Sequence, residues 1–211
     1  AARKAWYEGF VAEAIDAFMR QPVMDTTGEL HAGYLTGDDL ANWQAPVEEP
    51  VTLDYGDYTV CKAGPWSQAP VLLQQLALLK GFDIESMDPN GADFVHTVQE
   101  CAKLAMADRE AFYGDPNFVD VPMETLLSAA YNDARRGLVT EMASDQIRPG
   151  SIEGFGGPVV YGLEDGRRML VSDDGQAVEL GDSSPEVSIA TGDTVHLDIA
   201  DRFGNLVSVT P

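Results

Sequence analysis

Apolar residues recur every three or four positions through residues 5–20, where Tyr7, Phe10, Val11, Ala14, Phe18 and Met19 share one side and Glu8, Glu13, Asp16 and Arg20 the other. That period predicts an amphipathic helix, ended at Gln21-Pro22 because a proline disfavours helical backbone in the residue before it. Gly28, Gly33 and Gly37 mark loop, and Thr36-Gly37-Asp38-Asp39-Leu40 offers caps for a short helix through Trp43, closed by Pro46. From Thr52 to Cys61, β-branched and aromatic residues surround Gly56-Asp57, which predicts a hairpin. Pro70 suits the first turn of a Leu-rich helix over 71–80, apolar nearly all round and so expected at the centre of the core. A long helix is expected over 93–113, with Phe94, Val98, Cys101, Ala102, Ala105 and Phe112 on one broad face, and one more over 122–136.

The pattern changes at residues 149–158, a Gly/Pro-rich connector. Beyond it Val159-Val160-Tyr161 and Met169-Leu170-Val171 flank Glu164-Asp165-Gly166, a predicted hairpin. From Thr194 the chain alternates: Thr194, His196 and Asp198 fall on one face, Val195, Leu197 and Ile199 on the other, the period of a strand. Asp201-Arg202-Phe203-Gly204-Asn205 supplies turn residues and Leu206 to Thr210 a second strand. The expected organisation is a helical part (1–148), the connector (149–158), a β-rich part (159–193) and a closing hairpin (194–211), an α/β chain of the α+β kind.

Composition narrows the function. The 211 residues suffice for one sizeable core, and 45% hydrophobic content excludes wholesale disorder. A net charge of −22 repels phosphate backbones and anionic lipid surfaces, so neither nucleic acid nor membrane is an expected partner. Cys61 and Cys101 form neither a disulfide framework nor a CxxC motif and are expected as buried free thiols. Ala1-Ala2-Arg3-Lys4 carries neither an initiating Met nor a signal-peptide pattern, so the chain is expected to be cut from a longer one.

Four groups could carry chemistry. Thr194, opening a strand after Gly192-Asp193, stands where an N-terminal-nucleophile hydrolase keeps its reactive threonine; read from the residues alone, an ordinary surface threonine starting a strand is the default. Thr194, His196 and Asp198 do not make a relay along one strand, because alternate residues lie roughly 6.6–6.8 Å apart and a relay needs contacts of about 2.6–3.2 Å. His196 and Asp198 are therefore expected in supporting roles. His96, Glu100 and Lys103 share a helix face, but with three histidines in the chain no metal site is expected. Asp108-Arg109 is expected to tie the long helix to its surroundings by a charge-assisted hydrogen bond. Gly154-Phe155-Gly156-Gly157 follows no strand and precedes no helix, so it reads as flexible connection rather than as a phosphate cradle.

Taken in order, several segments resemble the gamma-glutamyltransferase (gamma-glutamyltranspeptidase) family of N-terminal-nucleophile hydrolases: Trp6-Tyr7-Glu8-Gly9, Leu35 to Leu40 with Trp43, Gly64-Pro65-Trp66-Ser67-Gln68-Ala69-Pro70, His96 to Glu100, Ala107-Asp108-Arg109, Gly114-Asp115-Pro116, and Gly192-Asp193-Thr194-Val195-His196 with Asp201 to Asn205. The resemblance implies part of an αββα sandwich. It implies Thr194 as catalytic nucleophile, Asp193/Thr194 as the autocleavage junction between a large and a small subunit, and no metal or organic cofactor. The implied partners are a gamma-glutamyl or other acyl-amide small molecule and the remainder of the two subunits. The substrate-binding arginine and the oxyanion hole of the family are expected before residue 1 and beyond Pro211, so no turnover is expected of this chain by itself.

Two departures qualify the resemblance. Val195 stands where many members have a second threonine, and Ser67-Gln68-Ala69-Pro70 where better-known transpeptidases have Ser-Ser-Gly-Gly. Both point to a divergent, acylase-like branch. The expected activity is gamma-glutamyl transfer or hydrolysis on amides such as glutathione. The alternatives are a cephalosporin or glutaryl acylase on the same scaffold, or a non-catalytic binding module with an unprocessed threonine.

Overall fold

The computed structural model describes residues 1–25, 27–157, 159–162, 168–171, 177–180 and 197–209. The first apolar stretch forms two helices, α1 (Ala2–Tyr7) and α2 (Phe10–Met19), because Gly9 adopts extended backbone and caps the second. The apolar face predicted there is largely uncovered: Phe10 is 72% and Phe18 68% exposed, and the buried residue of α2 is Ala12. The short strands β1 (Val23–Met24) and β2 (Leu30–His31) pair next. Helix α3 (Gly37–Asn42) opens with the predicted cap, in which Thr36 and Asp39 exchange side-chain-to-backbone hydrogen bonds. It is tied back by the Gly37 amide, which donates to Asp16 at 2.9 Å, and by Trp43 stacked on Tyr7.

The predicted hairpin is β3 (Val51–Tyr55) with β4 (Tyr58–Lys62), turning at Gly56 with φ +58°. Cys61 is exposed there rather than buried. The pleat turns Val60 inward, and a residue next to it in a strand must face the other way.

The core lies between α4 (Pro70–Leu79) and α5 (Ala92–Phe112). Pro70 occupies the first turn of α4, where its missing N–H costs nothing. Val71, Leu78 and Leu79 pack on Cys101, Leu104 and Ala105 of α5, with Phe82, Ile84, Val98 and Val139 against them. Burial pushes the Cys101 thiol up to about 11, so it stays a neutral, apolar filler.

The single helix predicted over 122–136 is two, α6 (Met123–Leu127) and α7 (Ala129–Arg136). Ser128 breaks them: its backbone is extended, its hydroxyl donates to the Thr125 carbonyl at 2.8 Å, and the same oxygen accepts from the Tyr131 amide that opens α7. Asn132 staples the joint by donating to the carbonyls of Leu126 and Ser128.

Beyond residue 157 the strands β5 (Val159–Gly162), β6 (Arg168–Val171) and β7 (Ala177–Leu180) form an antiparallel sheet in that order, so a third strand joins the predicted hairpin. The closing hairpin pairs β8 (Leu197–Ala200) with β9 (Leu206–Val209). No helix among the described residues is long and apolar enough to cross a membrane.

Candidate active site

Of the residues singled out for catalysis, Asp193, Thr194 and His196 lie outside the described residues, and Asp198 lies within them on β8. Asp198 is exposed and stands opposite Ser208 in the register Leu197↔Val209, Asp198↔Ser208, Ile199↔Val207, Ala200↔Leu206. The connection is the five-residue turn 201–205. The Asp201 amide donates to the Asn205 carbonyl at 3.0 Å, the Gly204 amide to the Asp201 carbonyl at 3.2 Å, and Gly204 takes φ +84°. The Asp201 carboxylate caps the loop from within, accepting from the amides of Phe203 (2.8 Å) and Asn205 (3.0 Å) and from the Asn205 side chain (2.7 Å). The Asn205 side chain and these amides hold the Asp201 carboxyl below the usual carboxylate range.

A second polar system occupies the helical part. Residues 96, 100 and 103 follow one face of α5, since spacings of three and four bring side chains together. This face holds down the irregular segment 138–150. His96 Nε2 is 2.7 Å from the Thr140 carbonyl and Lys103 Nζ donates to the Ser144 carbonyl at 2.6 Å. Glu100, with 1% of its surface exposed, accepts from the Ser144 amide at 3.2 Å, from Arg148 at 2.8 Å and from Lys103. Burial raises the Glu100 pKa, but Lys103, the Ser144 amide and Arg148 outweigh it and leave the carboxyl lower than usual. The face that could have suggested a His/Glu metal site is thus consumed by anchoring. Among the described residues no group of three or more His, Cys, Asp or Glu side chains is placed to hold a metal ion.

Asp108 is the deepest of these groups, with no exposed surface. Its Oδ1 accepts from Arg135 Nη2 at 2.9 Å and the Gly150 amide at 2.6 Å, its Oδ2 from Gln74 at 2.6 Å and Arg135 Nε at 3.2 Å. Burial pushes its pKa up, against the pull of Arg135, the Gly150 amide and Gln74. The predicted tie at 108–109 therefore runs through Asp108 alone, since Arg109 pairs with its neighbour Glu110. Gln74 and Arg135 escape sequence reasoning because no local spacing links positions 74, 108, 135 and 150. Gly150 admits no side chain here: a Cβ would lie 1.9 Å from the Tyr131 oxygen.

Residues 154–157 form no anion cradle. Ile152 and Phe155 bridge across a tight turn, and Gly156, with φ +87°, lies so close to α5 that a Cβ would approach Phe112 to 2.7 Å. An open polar cleft of about 240 Å³ lies between residues 65–68 and Arg109, Glu110, Tyr113 and Gly114.

A family model described as gamma-glutamyltranspeptidase matches residues 1–211. The chain belongs to the gamma-glutamyltranspeptidase family. Its mixture of helices and antiparallel strands is part of the N-terminal-nucleophile hydrolase fold of that family. It is 31% identical to the acylase ACY 1 proenzyme of Pseudomonas sp. (strain SE83) over 85% of this chain and 26% of that protein. It is 30% identical to the glutathione hydrolase proenzyme of Bacillus subtilis (strain 168) over 98% of this chain and 31% of that protein. Among solved structures, LmbA2991HD superposes on 100% of this chain and 33% of its own with a TM-score of 0.74 at 46% identity. The chain thus spans about a quarter to a third of the length of these three proteins.

Proposed function

We propose that the protein to which this chain belongs is an autoprocessing acyl-transferring amide hydrolase, that Thr194 is its nucleophile, and that gamma-glutamyl amides such as glutathione are its substrates. The observation that supports this most directly is the family match across residues 1–211, which includes Gly192-Asp193-Thr194. Relatives aligned over most of the chain carry the names glutathione hydrolase proenzyme and acylase proenzyme.

In the first step the Thr194 hydroxyl oxygen attacks the carbonyl carbon of Asp193. The C–N bond breaks, the acyl group passes to oxygen as an ester, and the nitrogen becomes the α-amino group of Thr194. Water then hydrolyses the ester, freeing the Asp193 carboxylate and the Thr194 hydroxyl. The new amine has an unperturbed pKa of about 7.7–8.0, close to working pH, where a general base is most effective. It takes the proton of its own hydroxyl as that oxygen attacks a substrate amide, and it returns a proton to the leaving amine. Water resolves the acyl-enzyme in hydrolysis, an acceptor amine in transfer. A glycine at position 192 has no Cβ to oppose the bend that the first attack requires. His196 and Asp198 would support the strand rather than exchange protons with Thr194.

An acylase acting on another acyl amide is the second reading, favoured by the acylase relative and by Val195 in place of a second threonine. Mass spectrometry of the full-length parent tests the first step. Two subunits meeting at Asp193/Thr194, and an intact Thr194→Ala variant, are expected; cleavage of the variant at that bond would overturn the assignment. Release of the amine from a gamma-glutamyl anilide by processed enzyme separates the substrates. Turnover of a glutaryl amide with none of the anilide would favour the acylase.

A further inference from the structure

The backbone between α7 and the connector is fastened by side chains. Among the described residues, no backbone-to-backbone hydrogen bond involves residues 140–150. Two interior carboxylates of α5 hold this stretch instead. Glu100, 1% exposed, accepts from the Ser144 amide at 3.2 Å and from Arg148 Nη2 at 2.8 Å. Asp108, with no exposed surface, accepts from the Gly150 amide at 2.6 Å and from Arg135 Nη2 at 2.9 Å. Hydrogen bonds to an ionised acceptor are the strong kind, and at both places they replace the ladder that the segment lacks.

Glu100 and Asp108 stand eight positions apart on α5, about 12 Å along its axis at about 1.5 Å per residue. Groups that far apart act independently unless they share a partner. Arg148 is that partner. Its Nη2 binds Glu100, its Nη1 donates to the Leu138 carbonyl at 2.8 Å, and its own carbonyl accepts from the Arg135 Nη2 that also holds Asp108. Since Leu138 begins the segment, the same guanidinium ties its two ends together.

We propose that residues 138–150 form a strap that closes over α5 and opens from it as one unit, and that Arg148 is the side chain that couples its two anchors. The opening is sub-global: the core beneath, where Leu78 and Leu79 meet Leu104 and Ala105, stays packed. The strap runs on through residues 152–157, where Gly156 lies against Phe112 of α5, into β5. It is therefore the joint between the helical part and the sheet β5–β6–β7.

Hydrogen exchange of the full-length parent, read by mass spectrometry on overlapping peptides at a single pH, tests this without reference to turnover. Glu100→Gln is expected to quicken exchange at Ser144 and at Gly150 by the same factor, about 10- to 100-fold, as follows from weakening a bond to a charged group, with Leu104 and Ala105 unchanged. Arg148→Ala is expected to quicken both amides and to uncouple them. Adding Glu100→Gln to Arg148→Ala should then move Ser144 alone, with Gly150 changed by less than about twofold. Three results would overturn the proposal: Ser144 quickened by Glu100→Gln while Gly150 keeps its wild-type rate, a Gly150 that still responds to Glu100→Gln in the Arg148→Ala background, or Leu104 and Ala105 quickened along with the strap. Should Glu100→Gln fail to fold, Arg148→Ala alone decides: both amides quickened over an unchanged core support a single strap, and an unchanged Gly150 overturns it.

Discussion

The α4–α5–α7 region and the β8–β9 hairpin solve opposite problems. The first buries charge: Asp108 and Glu100 sit inside, and four basic or amide side chains converge on them. The second exposes hydrocarbon: all four residues of each strand are exposed, and its polar bonds are concentrated in a five-residue turn. The contrast separates two kinds of specification. In the helical region the fold is set by contacts between residues far apart in sequence, down to the Asp108 bond to Gly150. In the hairpin the side-chain bonds of Asp201 stay within its own turn. The proposed chemistry lies next to the hairpin, while the buried core of the described residues lies in the helical region.

That division is open to direct test, beginning with the largest effect. Asp108→Ala is expected to cost about 3–5 kcal/mol in urea unfolding, because it leaves the Arg135 guanidinium buried without its counter-charge. Replacing Asp108 and Arg135 together by apolar residues should recover much of that loss, and a double variant as unstable as the single would break the argument. Leu104→Ala, which empties a fully enclosed position between α4 and α5, is expected to cost about 2–5 kcal/mol.

A smaller effect is expected from pH. The Glu100 pKa is held below its ordinary 4.5 in the folded protein, so folding favours the ionised form. Its contribution is complete above that ordinary value and fades as pH falls through the folded one. Melting temperatures of wild type should therefore drop on acidification more steeply than those of Glu100→Gln; identical acid limbs would show that Lys103 and Arg148 do not hold the carboxylate. The smallest effect is expected from Gly204→Ala, which places a Cβ at φ +84°, at a cost of about 1–2 kcal/mol. Hydrogen exchange should quicken in β8 and β9 while the α4–α5 amides keep their protection. Loss of protection in both regions would mean that they unfold as one unit.

Much of the secondary structure is legible in the sequence because it rests on short-range signals. The Thr36–Asp39 cap, Pro70 at the start of α4, the Gly56 turn and the Gly204 turn each announce themselves within a few residues. The features that escape have a common cause. The break at Gly9 and the break at Ser128 are single-residue choices between helical and extended backbone that periodicity cannot register. Apolar company alone puts Cys61 in the core, but its neighbour Val60 takes the inward side of the pleat. The His96–Glu100–Lys103 face is visible as a set without a purpose, since its partners, Thr140, Ser144 and Arg148, lie more than forty positions away.

The sequence by itself determined the long central helices, the β3–β4 hairpin, the closing turn and, through motifs spread along the whole chain, the family. These depend on local backbone preference and on side-chain chemistry at fixed spacing. Tertiary structure decided which polar residues are interior. A buried carboxylate survives only where several donors meet it in low-dielectric surroundings, and Gln74, Arg135 and the Gly150 amide reach Asp108 from three separate segments of the chain. No spacing along the sequence encodes that meeting, because it exists only once the segments are packed together.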